Sequence, residues 1–327
     1  TQRTIAGEAG YGTGEGVRVE ASWQHRNFFN PEGALTVRGV LGTQEQLIGA
    51  SVRRSNWRQR DQVLVAQAGA SNIDRDAFEA RTIQIGASIE RQTTFIWHKK
   101  WTWSVGAEVL ASEEEGGITP RIVNPQPRTF FIGALPASLG YDASDDLLDP
   151  TRGFRLNGRI SPEVSRQGRR TSSYLVMQLD GSAYRPVADR VVAAGRVRLA
   201  SIGGAARDDI APSRRLYSGG GGSVRGYAYQ RLGPRDLDDN PIGGRGLAEL
   251  SVEARVRLGN FGIVPFLDAG SVSENSLPSF DDWQFGVGIG GRYYSSFGPI
   301  RIDVGTPLNR RSGDSRFAVT VSLGQAF

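Results

Sequence analysis

Cysteine is missing from the 327-residue chain, and methionine occurs once. The absence of cysteine excludes disulfides and thiolate-bound metals, and it is compatible with an oxidising compartment. The chain also lacks the run of about 18 apolar residues that a membrane-spanning helix needs. The longest apolar stretch, residues 129–141, is too short and contains Pro136. No transmembrane helix is therefore predicted.

Lysine and histidine are also scarce. Lys99 and Lys100 are the only lysines among 39 basic residues, and the net charge is +5. The arginines alternate with apolar residues instead of forming one basic stripe, which argues against nucleic-acid binding and favours arginines that line a cavity. Neither His25 nor His98 lies in an evident constellation with serine and aspartate. We therefore predict no enzyme activity and no cofactor.

What the chain has is an alternation with a period of two residues, repeated along most of its length. In residues 247–258, apolar side chains alternate with glutamate, serine and arginine. In residues 317–327, one face carries large apolar side chains, including Phe317 and Phe327, and the other carries small ones. Together with 43 glycines and a charged fraction of 22%, this argues against a large soluble core.

The alternating segments predict an all-β fold, a transmembrane antiparallel β-barrel of about sixteen strands. Most segments are longer than ordinary globular strands, as tilted membrane crossings must be. The predicted strands are 3–12, 16–25, 33–42, 44–54, 61–70, 78–91, 100–112, 127–142, 152–166, 170–186, 189–202, 245–258, 262–273, 282–295, 298–308 and 314–326.

The polar face of these strands often carries arginine, for example Arg196, Arg255 and Arg301, so this face is predicted to line a wet lumen. The connections are expected to alternate between short periplasmic turns and longer outer loops.

Trp97, Trp101 and Trp103 flank one strand start, as residues of an interfacial aromatic belt would. The acidic turn 145–153 lacks the spacing of a calcium loop, and no metal site is predicted there.

One stretch, residues 216–236, is too rich in glycine for a strand and too patterned for a flexible linker. Gly219 to Gly222 permit positive φ and close backbone approach. Val224, Arg225 and Tyr227 follow them and are residues that pack or form ion pairs. A phosphate-binding loop is excluded because no Gly-Lys-Ser/Thr follows.

The motif Val224-Arg225-Gly226-Tyr227, with Gln230 and the run from Gly233 to Asp236 behind it, resembles the lumen-entering loop of the POTRA-and-barrel superfamily. Phe266-Leu-Asp268-Ala-Gly270 and the strand 298–303 resemble further motifs of that superfamily. Its members include the outer-membrane insertases BamA and TamA and the two-partner secretion transporters. The sequence of the loop is most similar to that of the TamA barrel domain.

The resemblance implies that the loop 203–244 folds into the lumen and that Arg225 forms a salt bridge with Asp268. Glu249 and Glu253 are alternative or additional carboxylates for the same arginine. Arginine suits this place because its planar guanidinium binds a carboxylate in a bidentate manner. Two roles remain open for the pair: it either stiffens the barrel or holds the loop near the seam during a conformational cycle.

The seam between the first and last strands is the second candidate site. Gly7, Gly10 and Gly12 make the first strand weak, whereas the last strand, with Phe317 and the terminal Phe327, is expected to be strong. We interpret this contrast as a lateral gate at which a client strand adds to an exposed edge. The alternative is that the glycines only ease barrel closure.

The resemblance implies an insertase that assists assembly of outer-membrane proteins and autotransporters in the bacterial outer membrane. Residues 1–327 are expected to form one barrel domain, with a signal peptide and upstream POTRA domains absent from this chain. Expected partners are a TamB-like periplasm-spanning protein, client barrels and outer-membrane lipid. The alternatives are a two-partner secretion transporter of the same superfamily and a passive porin.

Overall fold

The computed structural model describes residues 2–30, 32–93, 99–116, 126–279, 281–295 and 298–327. These residues form β-strands, apart from turns, loops and the two short 3₁₀ segments Arg207–Asp209 and Pro212–Arg214. None of the helices among them is long and apolar enough to cross a bilayer.

Sixteen strands can be followed through the described residues, and the eighth consists of two segments. They are β1 Arg3–Gly12, β2 Gly16–Phe29, β3 Gly33–Gly42, β4 Glu45–Arg54, β5 Gln62–Arg75, β6 Phe78–Arg91, β7 Trp101–Gly116, β8 Arg128–Ala134 with Ala137–Asp142, β9 Gly153–Gln167, β10 Arg170–Ala188, β11 Val191–Gly203, β12 Gly246–Leu258, β13 Phe261–Ser273, β14 Gln284–Ser295, β15 Gly298–Pro307 and β16 Ala318–Leu323.

Each strand pairs in antiparallel fashion with its neighbours in sequence, and β1 pairs with β16. The sheet is therefore a closed barrel, which confirms the predicted fold class. Both segments of β8 pair with β7 and β9, so the break at Leu135 and Pro136 interrupts one strand without changing the strand order. Proline has no N–H for the ladder, which accounts for the break.

The two faces of the wall follow the alternation in the sequence. On β12, Leu250 and Val252 are 42% and 51% exposed, while Glu249 before them and Glu253 after them are 1% and 2% exposed. A barrel in water would show the reverse exposure of apolar and charged residues. Apolar side chains face outward toward lipid, and charged side chains face inward.

Aromatic side chains meet at the end of the barrel where β1 begins, which we call the turn end. The rings of Trp101 and Tyr141 lie 4.8 Å apart, and those of Tyr141 and Phe154 lie 5.7 Å apart. These residues belong to the ends of β7, β8 and β9, as members of an interfacial belt would. Trp97 and His98, singled out from the sequence, lie outside the described residues.

The expected alternation of short and long connections is wrong for the first half of the barrel and holds from β11 onward. At the opposite end, which we call the loop end, the connections after β1, β3, β5 and β9 are only two or three residues long. The connection from β11 to β12, residues 204–245, is by contrast very long. The long connections at the loop end therefore belong mainly to the second half of the chain.

The last strand also differs from its prediction. It runs from Ala318 to Leu323 and not over residues 314–326, so Phe317 and Phe327 lie outside it. Gly324 adopts a φ of 93°, and its N–H donates to the carbonyl of Pro299 at 2.7 Å. The ring of Phe327 then lies 5.6 Å from the guanidinium of Arg255 on β12. The alternation continues past the strand, but the positive φ turns the chain away from the ladder.

Candidate functional site

The loop 203–244 contacts many strands of the barrel wall. Its Tyr217 ring lies 5.8 Å from Phe78 at the start of β6, and the N–H of Tyr229 donates to the carbonyl of Thr13 after β1 at 3.0 Å. Other residues of the loop contact β7, β9 and β11 through β15. Burial raises the pKa of the Tyr217 phenol above its ordinary value, so this hydroxyl stays protonated.

Arg225 lies at the centre of these contacts and is 3% exposed. Its Nε donates to Oδ2 of Asp268 at 2.8 Å, and its Nη2 donates to Oδ1 at 2.9 Å. The backbone N–H of Arg225 donates to the same Oδ2 at 2.9 Å. Asp268 is 0% exposed and lies in the middle of β13. Arginine and aspartate thus form the bidentate geometry that a lysine does not offer.

The remaining guanidinium nitrogen of Arg225 contacts two more carboxylates. Its Nη1 donates to Glu253 at 2.8 Å and lies 3.8 Å from Oδ2 of Asp303 on β15. The guanidinium also lies over the ring of Phe266 at 3.7 Å from its centroid. An arginine buried among carboxylates and against an aromatic ring keeps its charge compensated without water.

Further arginines of the wall balance these carboxylates. Arg255 donates to Glu253 at 2.8 Å, and Arg292 donates to Asp303 at 2.6 Å. The sequence placed Arg255 on the inner face but gave it no partner, and it did not single out Asp303 or Arg292. Only the strand register brings these residues of β12, β14 and β15 beside the loop.

Glu249 does not contact Arg225 and holds a different part of the loop. Its Oε1 accepts a hydrogen bond from Ser218 at 2.8 Å and another from the hydroxyl of Ser223. Its Oε2 lies 3.3 Å from Nη2 of Arg196. The prediction that Glu249 is a further carboxylate for Arg225 therefore differs from the structure, because Glu249 lies four residues nearer the loop end than Glu253.

The glycine run presents its carbonyls to the wall. Arg196 donates to the carbonyl of Gly222 at 2.8 Å, and Arg301 donates to that of Gly221 at 3.0 Å. A Cβ added to Gly221 would overlap the side chain of Thr320 on β16. Glycine at this place thus lets the loop backbone approach the last strand.

Gly226 and Tyr227 fit closely against the wall. Gly226 has a φ of 105°, and a Cβ there would lie 2.9 Å from the carbonyl oxygen of Thr306. Tyr227 is 1% exposed, packs with Val224 and Leu232, and donates to Asn309 at 2.9 Å. The wall has glycines opposite the loop as well, since a Cβ on Gly270 would lie 2.7 Å from Val224.

A second ion-pair site holds the start of the loop to the opposite wall. Arg214 donates from Nε to Glu163 on β9 at 3.1 Å and from Nη2 to Glu108 on β7 at 3.1 Å. The neighbouring Ser213 donates its N–H to Glu114 at 2.9 Å and its hydroxyl to the same carboxylate at 2.5 Å. This Arg214 site could not be predicted from the sequence, because no motif surrounds Arg214 and its partners are far away in the chain.

The seam between β1 and β16 is short. β1 pairs with β2 along all of its residues from Arg3 to Gly12, but with β16 only at Tyr11 and Gly12. Of the predicted gate glycines, Gly12 lies in this pairing, and Gly7 and Gly10 lie below it. The last strand ends at Leu323, so β1 extends past it below Ala9, and the pairing stops at Tyr11 although Ser322 and Leu323 are still in the strand.

The acidic turn 143–152 uses its carboxylates internally. Asp145 accepts the N–H groups of Thr151 and Arg152, each at 2.9 Å, and Asp146 accepts that of Leu148 at 2.7 Å. Burial alone would raise the pKa of Asp145, but these hydrogen bonds outweigh it and hold the pKa below its ordinary value. Within the residues that the structure describes, no group of acidic and histidine side chains suits a metal ion.

Comparison with solved structures shows the same fold elsewhere. BamA from Haemophilus ducreyi lacking POTRA domains 1–3 matches 98% of this chain and 70% of its own, with a TM-score of 0.80 and 19% identity. CdiB from Acinetobacter baumannii matches 99% of this chain and 60% of its own, with a TM-score of 0.64 and 13% identity. At these identities the likeness concerns the fold alone.

Sequence comparison adds a relative and a family. The outer membrane protein assembly factor BamA of Nitratidesulfovibrio vulgaris (strain Hildenborough) is 32% identical over 155 residues, which are 44% of this chain and 19% of that protein. The chain therefore matches only about a fifth of the length of this relative. The model of the Omp85 superfamily domain matches residues 10–327. The chain is an outer-membrane β-barrel that belongs to the Omp85 superfamily.

Proposed function

We propose that this barrel assists the assembly of other outer-membrane β-barrel proteins at the seam between β1 and β16. The observation that carries the proposal is the seam itself, in which two residue pairs join strands that are ten and six residues long. The edge of β1 below Ala9 extends past β16 and offers backbone N–H and C=O groups to an incoming strand. An edge of this kind pairs readily with another strand.

We further infer that the loop 203–244 occupies the lumen. Two groups of contacts support this. Arg225 contacts the middle of β12 and β13, and Arg214 contacts β7 and β9 on the other side. A single loop reaches both walls at once by crossing the enclosed space. A filled lumen favours assembly at the seam over a passive porin or a polypeptide conduit, because both of these need an open channel.

The proposed clients, partner and domain organisation rest on the resemblance of the loop motif to the POTRA-and-barrel superfamily. Client barrels, autotransporters among them, are the proposed substrates, and a TamB-like periplasm-spanning protein is the proposed partner. Residues 1–327 act as the barrel domain of a longer protein with POTRA domains in this proposal. Arg225 and Asp268 keep the loop in place while the seam opens.

A disulfide across the seam tests the proposal, because the chain has no cysteine of its own. Gly12→Cys and Thr320→Cys change two directly paired residues of β1 and β16. The matched control is Ser51→Cys with Gln67→Cys, which are paired between β4 and β5. Both variants are introduced into the full-length protein in lipid vesicles, and the folding of an added client barrel is measured.

Oxidation of the seam variant should stop client folding, and reduction should restore it, whereas the control should work in both states. Full activity of the oxidised seam variant would refute the proposed gate. Equal loss of activity in the oxidised control would show that the barrel must deform everywhere, and it would also count against a dedicated seam. Formation of each disulfide is checked by electrophoretic mobility without reductant.

A further inference from the structure

The turn between β4 and β5 combines features that neither the seam nor the loop explains. Residues 53–61 read Arg-Arg-Ser-Asn-Trp-Arg-Gln-Arg-Asp and hold four arginines against one aspartate. The turn lies at the turn end of the barrel, the same end as the rings of Trp101, Tyr141 and Phe154. Charge of one sign is therefore concentrated where the lipid-facing wall ends.

The backbone of this turn is held in an uncommon conformation. Asn56, Arg58 and Asp61 all have positive φ, at 53°, 58° and 72°. Asparagine and aspartate adopt this region readily, but an arginine there is uncommon. The N–H of Trp57 donates to the carbonyl of Gln62 at 2.9 Å, and that of Asp61 donates to the side chain of Asn56 at 3.3 Å. The turn is thus ordered by its own hydrogen bonds, and such strain is often found at binding sites.

Two guanidinium groups lie near the ring of Trp57. The guanidinium of Arg54 lies 4.9 Å from the ring centroid, and that of Arg58 lies 5.9 Å from it. The nearby carboxylates have other partners: Asp61 forms an ion pair with Lys99, and Glu32 accepts a hydrogen bond from Asn56 at 2.6 Å. The positive charge of Arg54 and Arg58 is therefore not cancelled by these two acids.

The position of the turn relative to the bilayer follows from the strands that it joins. Arg54 is paired with Leu64, which lies on the lipid-facing side of β5. Longer loops of outer-membrane barrels face the exterior, and the longest connection leaves the loop end. The turn end therefore faces the periplasm, and Arg54 lies at the boundary between acyl chains and headgroups of that leaflet.

We propose that the turn 53–61 binds the headgroup of an anionic phospholipid in the periplasmic leaflet. The guanidinium groups of Arg54 and Arg58 donate to phosphate oxygens, for which arginine has the appropriate planar geometry. Trp57, whose ring both guanidinium groups approach, is a residue of the type that is enriched at the interface. A lipid is favoured over an acidic polypeptide because Arg54 is paired with Leu64, on the side of the wall that faces lipid.

The test compares lipid selectivity between charge-matched variants. Arg54→Gln with Arg58→Gln removes two charges from the turn. Arg166→Gln with Arg169→Gln removes two charges from exposed residues at the loop end, around the tip between β9 and β10. Each protein is reconstituted with equal amounts of phosphatidylglycerol and phosphatidylcholine. The association of a spin-labelled form of each lipid is measured by electron spin resonance.

The wild type should prefer phosphatidylglycerol, and the turn variant should lose about fivefold or more of that preference at low salt. The control should keep the preference, and a variant with Arg54→Lys and Arg58→Lys should retain most of it because the charge remains. Unheated electrophoretic mobility shows that each barrel is folded.

Three results would overturn the proposal. The turn variant could keep its full preference, which would show that the turn does not select lipid. The control could lose as much preference as the turn variant, which would assign the effect to net charge. The turn variant could keep its lipid preference but lose binding to a periplasmic polypeptide, which would make the turn a protein-docking surface.

Discussion

Gly286 and Arg225 approach so closely that a Cβ on Gly286 would overlap the backbone carbonyl oxygen of Arg225. The wall of the barrel is thus shaped for the loop at one point of β14. The same strand contains Gly291, around which a Cβ would meet no atom within 4 Å. Two glycines of one strand therefore differ in what surrounds them, and this difference leads to the first prediction.

Gly286→Ala should displace the loop, whereas Gly291→Ala should leave it in place. Overpacking of this kind destabilises a folded protein by about 1 to 3 kcal/mol, while a substitution in open space changes stability by about 0.5 kcal/mol or less. Urea unfolding of the barrel in detergent measures the stability, and limited proteolysis measures the exposure of the loop. Equal behaviour of the two variants would contradict the observed fit of loop and wall.

Arg225→Ala should destabilise the barrel strongly, because Asp268 and Glu253 would remain buried without their partner. Removal of one member of a buried ion pair costs about 3 to 5 kcal/mol. Arg225→Lys should be less harmful, since the charge remains while the bidentate contact is lost. The unfolding midpoint in urea is the measurement, with Arg169→Ala as an exposed control. An unfolding midpoint of Arg225→Ala equal to that of the wild type would show that the ion pair does not hold the loop in place.

Arg214→Met should free the start of the loop while its tip stays bound. The variant leaves Glu163 and Glu108 without their cation, and a loss of about 3 kcal/mol is expected for a mostly buried pair. Arg170→Met is the matched control, since Arg170 forms an ion pair with Asp209 but has a side chain that is 71% exposed. An exposed pair contributes about 0 to 1 kcal/mol.

The two variants are compared by proteolysis of residues 205–217 and by urea unfolding. If the control is as unstable as Arg214→Met, burial is not what distinguishes the two ion pairs.

The acidic turn after β8 should lose order in acid. The pKa of Asp145 is lower in the folded chain than its ordinary value, because the hydroxyl and N–H of Thr151 and the N–H of Arg152 donate to its carboxylate. The carboxylate thus stabilises the turn above the unfolded pKa of about 3.9, and this contribution is lost as pH falls through the folded pKa. Asp145→Asn should abolish this pH dependence, as measured by hydrogen exchange of the Thr151 amide. An unchanged profile in the variant would assign it to another group.

Much of the barrel could be predicted from the sequence, because each strand must place apolar side chains toward lipid and polar side chains toward the lumen. The predicted bounds of β1, β3 and β6 coincide with the observed ones at both ends. The last strand could not be predicted in this way. Residues 324–327 continue the alternation, but a positive φ at Gly324 and the contact of Phe327 with Arg255 depend on tertiary structure.

Only some of the contacts of the loop could be predicted from the sequence. A motif drew attention to Arg225 and Asp268, whose side chains lie in direct contact. Arg214 has no such motif, and its partners Glu108 and Glu163 come from strands that close the other side of the barrel. Periodicity tells which side chains face inward, but it does not tell which of them meet across the lumen.

Thr13 is the residue at which the seam and the loop come together. Its N–H donates to the carbonyl of Val319 at 3.0 Å, and its own carbonyl accepts the N–H of Tyr229 at 3.0 Å. If clients enter at the seam as proposed, a strand that separates the first hairpin from the last strand pulls on the peptide unit that also binds Tyr229. We therefore expect client entry to shift the loop 203–244 without any contact between this loop and the client.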